Sequence, residues 1–257
     1  MIKLSMPRQN EQLNELWIFD KGLLGYHYVN SSERLTQPLL RKDDKLVPVS
    51  WEEAYQRVED KLRAESVRLV TLAGGRLTNE DLFNVQQLNQ SQNGKAVLYS
   101  QMAGGDITAQ IGMGKGSNFS TMGKGSAILV VASDLHEEAP IWWLRVKQAA
   151  QRGATLIVAN ARATQLDKYA SHVLRYEYGQ EAISINAMLD GKGKGEFEQA
   201  AKAFAEAENG VIIYGSDGLG LIGSEQLVKA CAKLLAERGY YGKPNNGLLA
   251  VWDKPNL

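Results

Sequence analysis

Small and polar residues follow each predicted strand of this 257-residue chain, and their types suit a binding site. They are Gly74, Gly75, Arg76, Ser133, Asp134, Asn160, Arg162, Thr164, Gly215, Ser216 and Asp217. Ligands of open α/β sheets bind at the carboxyl ends of parallel strands, so these residues would line one crevice. The same residue types also make turns and helix caps. The pattern therefore predicts either a nucleotide pocket or ordinary turn-and-cap chemistry.

Two glycine-rich segments resemble nucleotide-binding motifs only in part. Residues 218–223 read G-x-G-x-x-G between a predicted strand and a helix. This motif follows the last predicted strand, begins four residues beyond it, and lacks a later strand carrying an acidic ribose ligand. In residues 112–117 a lysine lies between glycines, which departs from the phosphate loop of nucleotide hydrolases. We predict that the first segment is a flexible loop that leads into a helix. We predict that the second segment is a surface loop, which could lie at an interface.

No catalytic or metal-binding constellation emerges from the spacing of the reactive residues. The sequence has no serine elbow, no histidine beside a plausible nucleophile, and no carboxylate pair singled out by spacing. Cys231 is the single cysteine, so an internal disulfide, a cysteine-held iron–sulfur cluster and a cysteine zinc site are excluded within this chain. Its apolar helical surroundings predict a buried structural thiol.

The charge balance excludes several broad classes of partner. The chain has 29 basic and 29 acidic residues, with a pI near 6.9, which gives no global attraction to nucleic acid or anionic lipid. No apolar run reaches the ~18 residues that a membrane helix needs. The first twelve residues do not have the pattern of a signal peptide. A cytoplasmic protein without direct membrane insertion is expected.

The predicted elements describe an irregular arm over residues 1–50 and an α/β domain over residues 51–257. In the arm, residues 17–19 and 26–29 are predicted as short strands or packed extended segments. Strands are predicted at 67–72, 96–99, 127–131, 155–159, 172–176 and 210–214. Helices are predicted at about 51–64, 79–90, 135–151, 181–189, 196–207 and 224–238. Apolar strands alternating with amphipathic helices predict a Rossmann-like, mainly parallel sheet with helices on both faces.

Two adjacent tryptophans, Trp142 and Trp143, lie in a predicted helix. Neighbouring helical residues point about 100° apart, so the two rings face different surroundings. Contact with another domain or subunit and a core role for both rings are equally compatible with this pattern.

Several segments together resemble the large iron–sulfur subunit of NADH–quinone oxidoreductase (respiratory complex I), which is a relative of molybdopterin oxidoreductases such as formate dehydrogenase. The segments are 14–22 (NELWIFDKG), 26–40 (YHYVNSSERLTQPLL), 46–54 (LVPVSWEEA), 73–81 (AGGRLTNED), 131–148 (VASDLHEEAPIWWLRVKQ) and 241–252 (YGKPNNGLLAVW). The resemblance implies a molybdopterin oxidoreductase fold and membership of a complex that passes electrons from NADH to quinone. It also implies that this chain is the central piece of a longer polypeptide.

The departures from the family pattern concern its cofactors. Phe19 stands where the family usually has the last cysteine ligand of a four-iron cluster. Residues 160–164 (NARAT) stand for the family's D-P-R-x-T, and residues 177–181 (EYGQE) for its R-P-G-T-D. Asn160 and Glu177 thus replace an aspartate that binds guanine and an arginine near phosphates, and the cysteine or selenocysteine that ligates the metal has no counterpart. The resemblance then implies iron–sulfur clusters on other domains and makes a bound molybdopterin unlikely.

These observations predict a non-catalytic structural domain whose partners are other domains and subunits of complex I. The competing interpretation is a molybdopterin-guanine-dinucleotide-binding domain of an oxidoreductase such as formate dehydrogenase. A free-standing nucleotide-binding protein is a third interpretation. For the arm, Trp17 and Phe19 are predicted to pack on the α/β unit, the alternative being a loose terminus.

Overall fold

The computed structural model of the chain describes residues 2–12, 14–64, 68–74, 77–98, 102–190 and 193–251. Contacts between residues divide the described part into two units. The first comprises residues 2–6 and 20–98, and the second comprises residues 7–19 and 102–251. The boundary at residue 50 stays a prediction.

The first unit begins with several short elements. Its bounds are α1 at Asp20–Leu24, a 3₁₀ turn at Gly25–Asn30, and an antiparallel hairpin of β1 (Leu39–Lys42) and β2 (Lys45–Pro48). Asp43 and Asp44 turn the hairpin with φ of 48° and 61°, the left-handed geometry of a type I′ turn. The short strand or packed extended segment predicted at 26–29 is therefore wrong, because these residues form a 3₁₀ turn.

A helix, a strand, a helix and a second strand follow in the first unit. They are α2 (Trp51–Leu62), β3 (Val70–Ala73), α3 (Asn79–Ser91) and β4 (Lys95–Leu98). Both helices begin at a capping residue: Glu53 N donates to Ser50 Oγ at 3.2 Å, and Thr78 and Asp81 form a capping box. The parallel strands β3 and β4 pair with each other in a sheet separate from that of the second unit.

The small β3–β4 sheet has one covered and one open face. On the covered face, Asn89 of α3 donates to Thr71 Oγ1 at 2.9 Å. On the other face Val70, Leu72 and Val97 are exposed, Leu72 at 75%. Among the described residues of this unit, the buried apolar side chains are Val49 and Ala73.

The second unit contains a five-stranded, entirely parallel sheet in the order β7-β6-β5-β8-β9. Its strands are β5 (Ser126–Val131), β6 (Thr155–Ala159), β7 (His172–Leu174), β8 (Asn209–Tyr214) and β9 (Gly247–Ala250). The chain enters this sheet at the central strand, β5, and continues to one edge through β6 and β7. It then crosses back to the other side of β5 and forms β8 and the edge strand β9. This is the doubly wound order of a Rossmann-like sheet, so the predicted fold class is confirmed.

Helices cover both faces of this sheet. They are α4 (Gly105–Ile111), α5 (Leu135–Glu138), α6 (Pro140–Gln151), α7 (Glu181–Leu189), α8 (Glu196–Ala205) and α9 (Leu221–Arg238). Leu129 of β5 lies in the core with α7, α8 and α9, whereas Ile128 lies in the opposite core with α6. The single helix predicted at 135–151 is two helices, because Pro140 begins α6 after a break at Ala139.

The tryptophan pair has a core role. Trp142 packs edge-on against Phe119 at a centroid distance of 5.0 Å, and Trp143 lies edge-on between His136 and Tyr169. Both rings pack against the core on the α6 side of the sheet.

None of the helices in the described part of the chain has the length and apolar character that crossing a membrane requires.

Residues 7–19 belong to the second unit, but their aromatic rings do not hold them there. Trp17 and Phe19 are 59% and 45% exposed, so the prediction that they pack on the α/β unit is wrong. The segment is instead held by Glu15, whose carboxylate accepts from Arg145 Nη1 of α6 at 2.8 Å. The ion pair between Glu15 and Arg145 thus attaches this segment to the second unit, a role that was expected of the buried rings of Trp17 and Phe19.

Candidate functional site

The loops after β5 and β8 meet at the point where the strand order reverses. Gly215 N donates to Val131 O at 2.9 Å, and Asp217 N donates to Ala132 O at 2.8 Å. A Cβ on Gly215 would lie 2.4 Å from Ala132 O, closer than real Cβ atoms approach, so this crossing requires glycine. The two loops are therefore fixed to each other by their backbones.

Arg162 joins these two loops to a third, the one that follows β6. Its Nη1 donates to Asp134 Oδ2 at 3.0 Å and its Nε donates to Asp217 Oδ2 at 2.9 Å. The backbone N of Arg162 donates to Asn160 Oδ1 at 3.1 Å, which holds the loop in place. The structure thus brings together four of the predicted residues around one guanidinium; we call this set (Asp134, Asn160, Arg162, Asp217) the arginine clamp.

The arginine clamp is electrostatically satisfied from within the chain. Burial lowers the pKa of Arg162, but hydrogen bonds and charges from Asp134 and Asp217 outweigh burial and raise it above its usual value. Asp134 is nearly buried and its Oδ1 also accepts from His136 N at 3.3 Å, so the carboxylate caps α5 as well. The guanidinium of Arg162 therefore neutralises part of the charge of two neighbouring carboxylates, those of Asp134 and Asp217.

Asn160 has little capacity left for a ligand. It is buried, its Oδ1 accepts from Arg162, and its Nδ2 makes long contacts of 3.5 Å with Ser133 O and 3.4 Å with Asp217 Oδ2. An aspartate that binds guanine must offer free acceptor atoms to the base. Here the acceptor is already used by the backbone of the same loop.

Ser133 contacts an acidic residue that the sequence reasoning missed. Its Oγ donates to Glu138 Oε2 at 2.7 Å. Burial raises the pKa of Glu138, the hydrogen bond from Ser133 opposes this, and the charges of Asp217 and Asp134 add to the rise. The spacing of five residues across a helix start carries no recognisable signal, so Glu138 could be found only from the fold.

The remaining predicted residues lie outside the arginine clamp. Thr164 donates through Oγ1 to Asp167 Oδ1 at 3.0 Å, and Asp167 also pairs with Arg175, a second cluster that the sequence did not reveal. Ser216 accepts from Leu219 N at 2.8 Å through its carbonyl, as in a turn. Gly74 belongs to the first unit. Gly75 and Arg76 lie outside the described residues.

The two glycine-rich segments have structural roles. At Gly218 φ is 80°, and a Cβ there would lie 2.3 Å from Tyr178 Cδ1, so glycine admits the tyrosine ring. Gly114 N donates to Asn246 O at 3.0 Å, and a Cβ on Gly114 would lie 2.0 Å from Lys243 O. The second loop is thus packed against the segment that leads into β9.

The residues at the strand ends do not fit a phosphate-rich cofactor. Seven carboxylates and three cations lie in the loops and adjoining turns at 132–138, 160–171, 175–181 and 215–220. Arg162 and Arg175 are paired with carboxylates, so the face has a negative field that repels pyrophosphate.

Cys231, the only thiol, is buried in the core within α9, and burial raises its pKa well above its usual value. Among the described residues, no group of three or more His, Cys, Asp or Glu side chains is arranged to hold a metal ion.

The doubly wound parallel sheet, with its strand order reversing between β5 and β8, defines a Rossmann-like domain. The family model for molybdopterin oxidoreductase matches residues 34–251, and the chain belongs to this family. It is 31% identical over 79% of its length to the G subunit of NADH-quinone oxidoreductase from Streptomyces coelicolor, and 26% identical over 72% of its length to the alpha subunit of F420-dependent formate dehydrogenase from Methanocaldococcus jannaschii.

The chain spans about a quarter of the length of these curated relatives, 27% and 28% respectively. Among solved structures, acetylene hydratase from Pelobacter acetylenicus superimposes with a TM-score of 0.66 at 16% identity, over 96% of this chain and 40% of the hydratase. At that identity the likeness concerns the fold alone. The family assignment inferred from the sequence resemblance is confirmed.

Proposed function

We propose that this chain is a non-catalytic structural domain of the large subunit of an NADH–quinone oxidoreductase. It retains the fold of a molybdopterin enzyme without the cofactor. The whole complex would transfer electrons from NADH to quinone, with iron–sulfur clusters on other domains. The chain would contact other domains and subunits on the cytoplasmic side, peripheral to the membrane.

The arginine clamp is the observation that carries this proposal. A dinucleotide at the switch point needs donors and cations directed at its phosphates. Arg162 directs its guanidinium at Asp134 and Asp217 instead, at 3.0 and 2.9 Å. A ligand phosphate would have to break these charged hydrogen bonds, each worth roughly 1.5–3 kcal/mol, and would then face two uncompensated carboxylates.

The relatives point to two assignments, and the residues of the site support the first of them. The 31% identity to an NADH-quinone oxidoreductase component favours the structural domain, whereas the formate dehydrogenase relative favours the alternative, a domain that binds molybdopterin guanine dinucleotide. Loss of the expected guanine acceptor at Asn160 and the negative charge of Glu177 both weigh against that alternative.

Calorimetric titration of the folded chain with GDP and with molybdopterin guanine dinucleotide tests the proposal. We expect no saturable binding up to about 1 mM, since the two replacements alone should cost about a hundredfold in affinity. A formate dehydrogenase with its cofactor removed serves as the positive control. A low-micromolar dissociation constant for this chain would make the cofactor-binding function the correct one.

A further inference from the structure

We propose that the strand-end face of the second unit is a docking surface for a protein segment that combines apolar side chains with lysine or arginine. This inference rests on the proposed function, because a domain that binds no cofactor leaves its strand-end face free to contact protein. The surface consists of an exposed apolar patch, which we call the rim (Tyr178, Ile183, Leu221 and Ile222), beside the acidic strand-end loops.

The rim is made of large apolar side chains that the chain leaves in water. Ile222 is 75% exposed, Ile183 is 61% exposed, and Tyr178 and Leu221 are exposed to about half. Ile183 lies in the first turns of α7, and Leu221 and Ile222 open α9. Apolar patches bordered by polar residues are typical of protein-contact surfaces, and tyrosine is enriched in them.

The two halves of the rim are held together by the fold. The Tyr178 ring, in the loop before α7, lies directly against Gly218 in the loop before α9. Behind the rim, α7 and α9 share one buried core that includes Ile185 and Leu227. The patch is therefore presented on a fixed base, which lowers the entropy lost when a partner binds.

Charge complementarity identifies the chemistry of the partner. Next to the rim, Glu177 is exposed and Asp217 carries one of the two charges that share Arg162. Glu181 accepts from Gly179 N at 3.1 Å, so the start of α7 is already occupied by a carboxylate of the same chain. Seven carboxylates against three cations in these loops favour a cationic partner and disfavour an anionic one.

Site-specific photo-crosslinking in the purified assembly that contains this chain tests the docking surface. A photoreactive residue at Ile222, and in a second sample at Ile183, should crosslink to a neighbouring domain or subunit. Mass spectrometry should place the crosslink in a segment with apolar residues and lysine or arginine. A photoreactive residue at Lys229, exposed two turns further along α9, is the control and should crosslink at a lower yield.

Two variants provide an independent measurement. Ile222→Asp and Glu177→Lys should each reduce incorporation of the chain into the assembly about tenfold, with unchanged thermal melting of the isolated chain. Glu237→Lys makes the same charge change as Glu177→Lys at the far end of α9 and should leave incorporation unchanged. Crosslinks to a second copy of this chain, crosslinks to an acidic segment, or unchanged incorporation of both rim variants would overturn the docking surface. Dinucleotide binding would instead overturn the proposed function, so the two failures are distinguishable.

Discussion

Arg162 and Asp217 lie in loops that follow two different strands, and the 2.9 Å hydrogen bond between them spans the strand reversal of the sheet. Asp134 lies in the loop after β5, the strand between β6 and β8, and it accepts a hydrogen bond from the same guanidinium. The strand ends at this reversal, where open α/β sheets generally bind ligands, are therefore joined by contacts within the chain.

Removing the arginine clamp should destabilise the second unit. Arg162→Met leaves two carboxylates, one of them nearly buried, without their shared cation. We expect a loss of about 1–2 kcal/mol in the free energy of unfolding, limited because the guanidinium is nearly half exposed. Urea melts measure it, with Arg63→Met as the control, since Arg63 makes an exposed pair with Glu59. Equal midpoints for Arg162→Met and the wild type would show that the clamp contributes nothing to stability.

The carboxyl of Glu138, which accepts a hydrogen bond from Ser133, should make the stability of the chain depend on pH. Its pKa is raised from the usual 4.5 by burial, so the folded state holds its proton more tightly than the unfolded state. That contribution is fully present below pH 4.5 and is lost as pH rises through the folded pKa. Glu138→Gln keeps an acceptor for Ser133 and removes the titration. The variant should therefore gain stability relative to the wild type as pH rises from 4 to 8, as measured by denaturant melts across that range. A difference that is constant with pH would contradict this account.

The segment before the first helix should depend on its ion pair and not on its aromatic rings. Phe19→Ala should change the free energy of unfolding by less than about 0.5 kcal/mol, because the ring is substantially exposed. Glu15→Gln weakens the contact with Arg145, whose side chain is 4% exposed, and should cost about 1–2 kcal/mol. Chemical denaturation of both variants decides it: a Phe19→Ala loss above about 2 kcal/mol, with Glu15→Gln neutral, would restore the packed-ring interpretation.

Replacing one leucine in each sheet by alanine should show how differently the two sheets contribute to the free energy of unfolding. Leu129 is fully buried in β5, so Leu129→Ala should cost about 2–5 kcal/mol. Leu72 lies on the open face of the β3–β4 sheet at 75% exposure, so Leu72→Ala should leave the unfolding midpoint nearly unchanged. Differential scanning calorimetry of the two variants measures the contrast. A large loss for Leu72→Ala would mean that this face is covered in solution.

The sequence predicted the elements that carry a continuous local signal. The strand 155–159 and the helix 181–189 were predicted at their observed bounds, because a buried parallel strand is an unbroken apolar run and the helix has a clear period. The hairpin of β1 and β2 escaped prediction, since its strands contain Arg41, Lys42 and Lys45 and end at Pro48. β9 escaped as well, being only four residues long beside several glycines.

The site was predicted as a set of strand-end residues but not as a network. That Asp134, Asn160, Arg162 and Asp217 lie at strand ends follows from the alternation of strands and helices. Which of them touch depends on the strand order, and the order β7-β6-β5-β8-β9 brings loops 55 residues apart into hydrogen-bond contact. No local pattern encodes that order. The hydrogen bond of Ser133 to Glu138 was missed for a different reason, because a spacing of five residues across a helix start carries no recognisable signal.

The central claim is that this domain keeps the fold of a molybdopterin oxidoreductase without its cofactor. Elemental analysis for molybdenum and tungsten on the purified assembly containing this chain tests it most directly, because it needs neither activity nor a chosen ligand. The account predicts well under 0.1 metal atom per chain, since the strand ends are acidic and Cys231 is buried in the core within α9. A content near one molybdenum or tungsten atom per chain would contradict it.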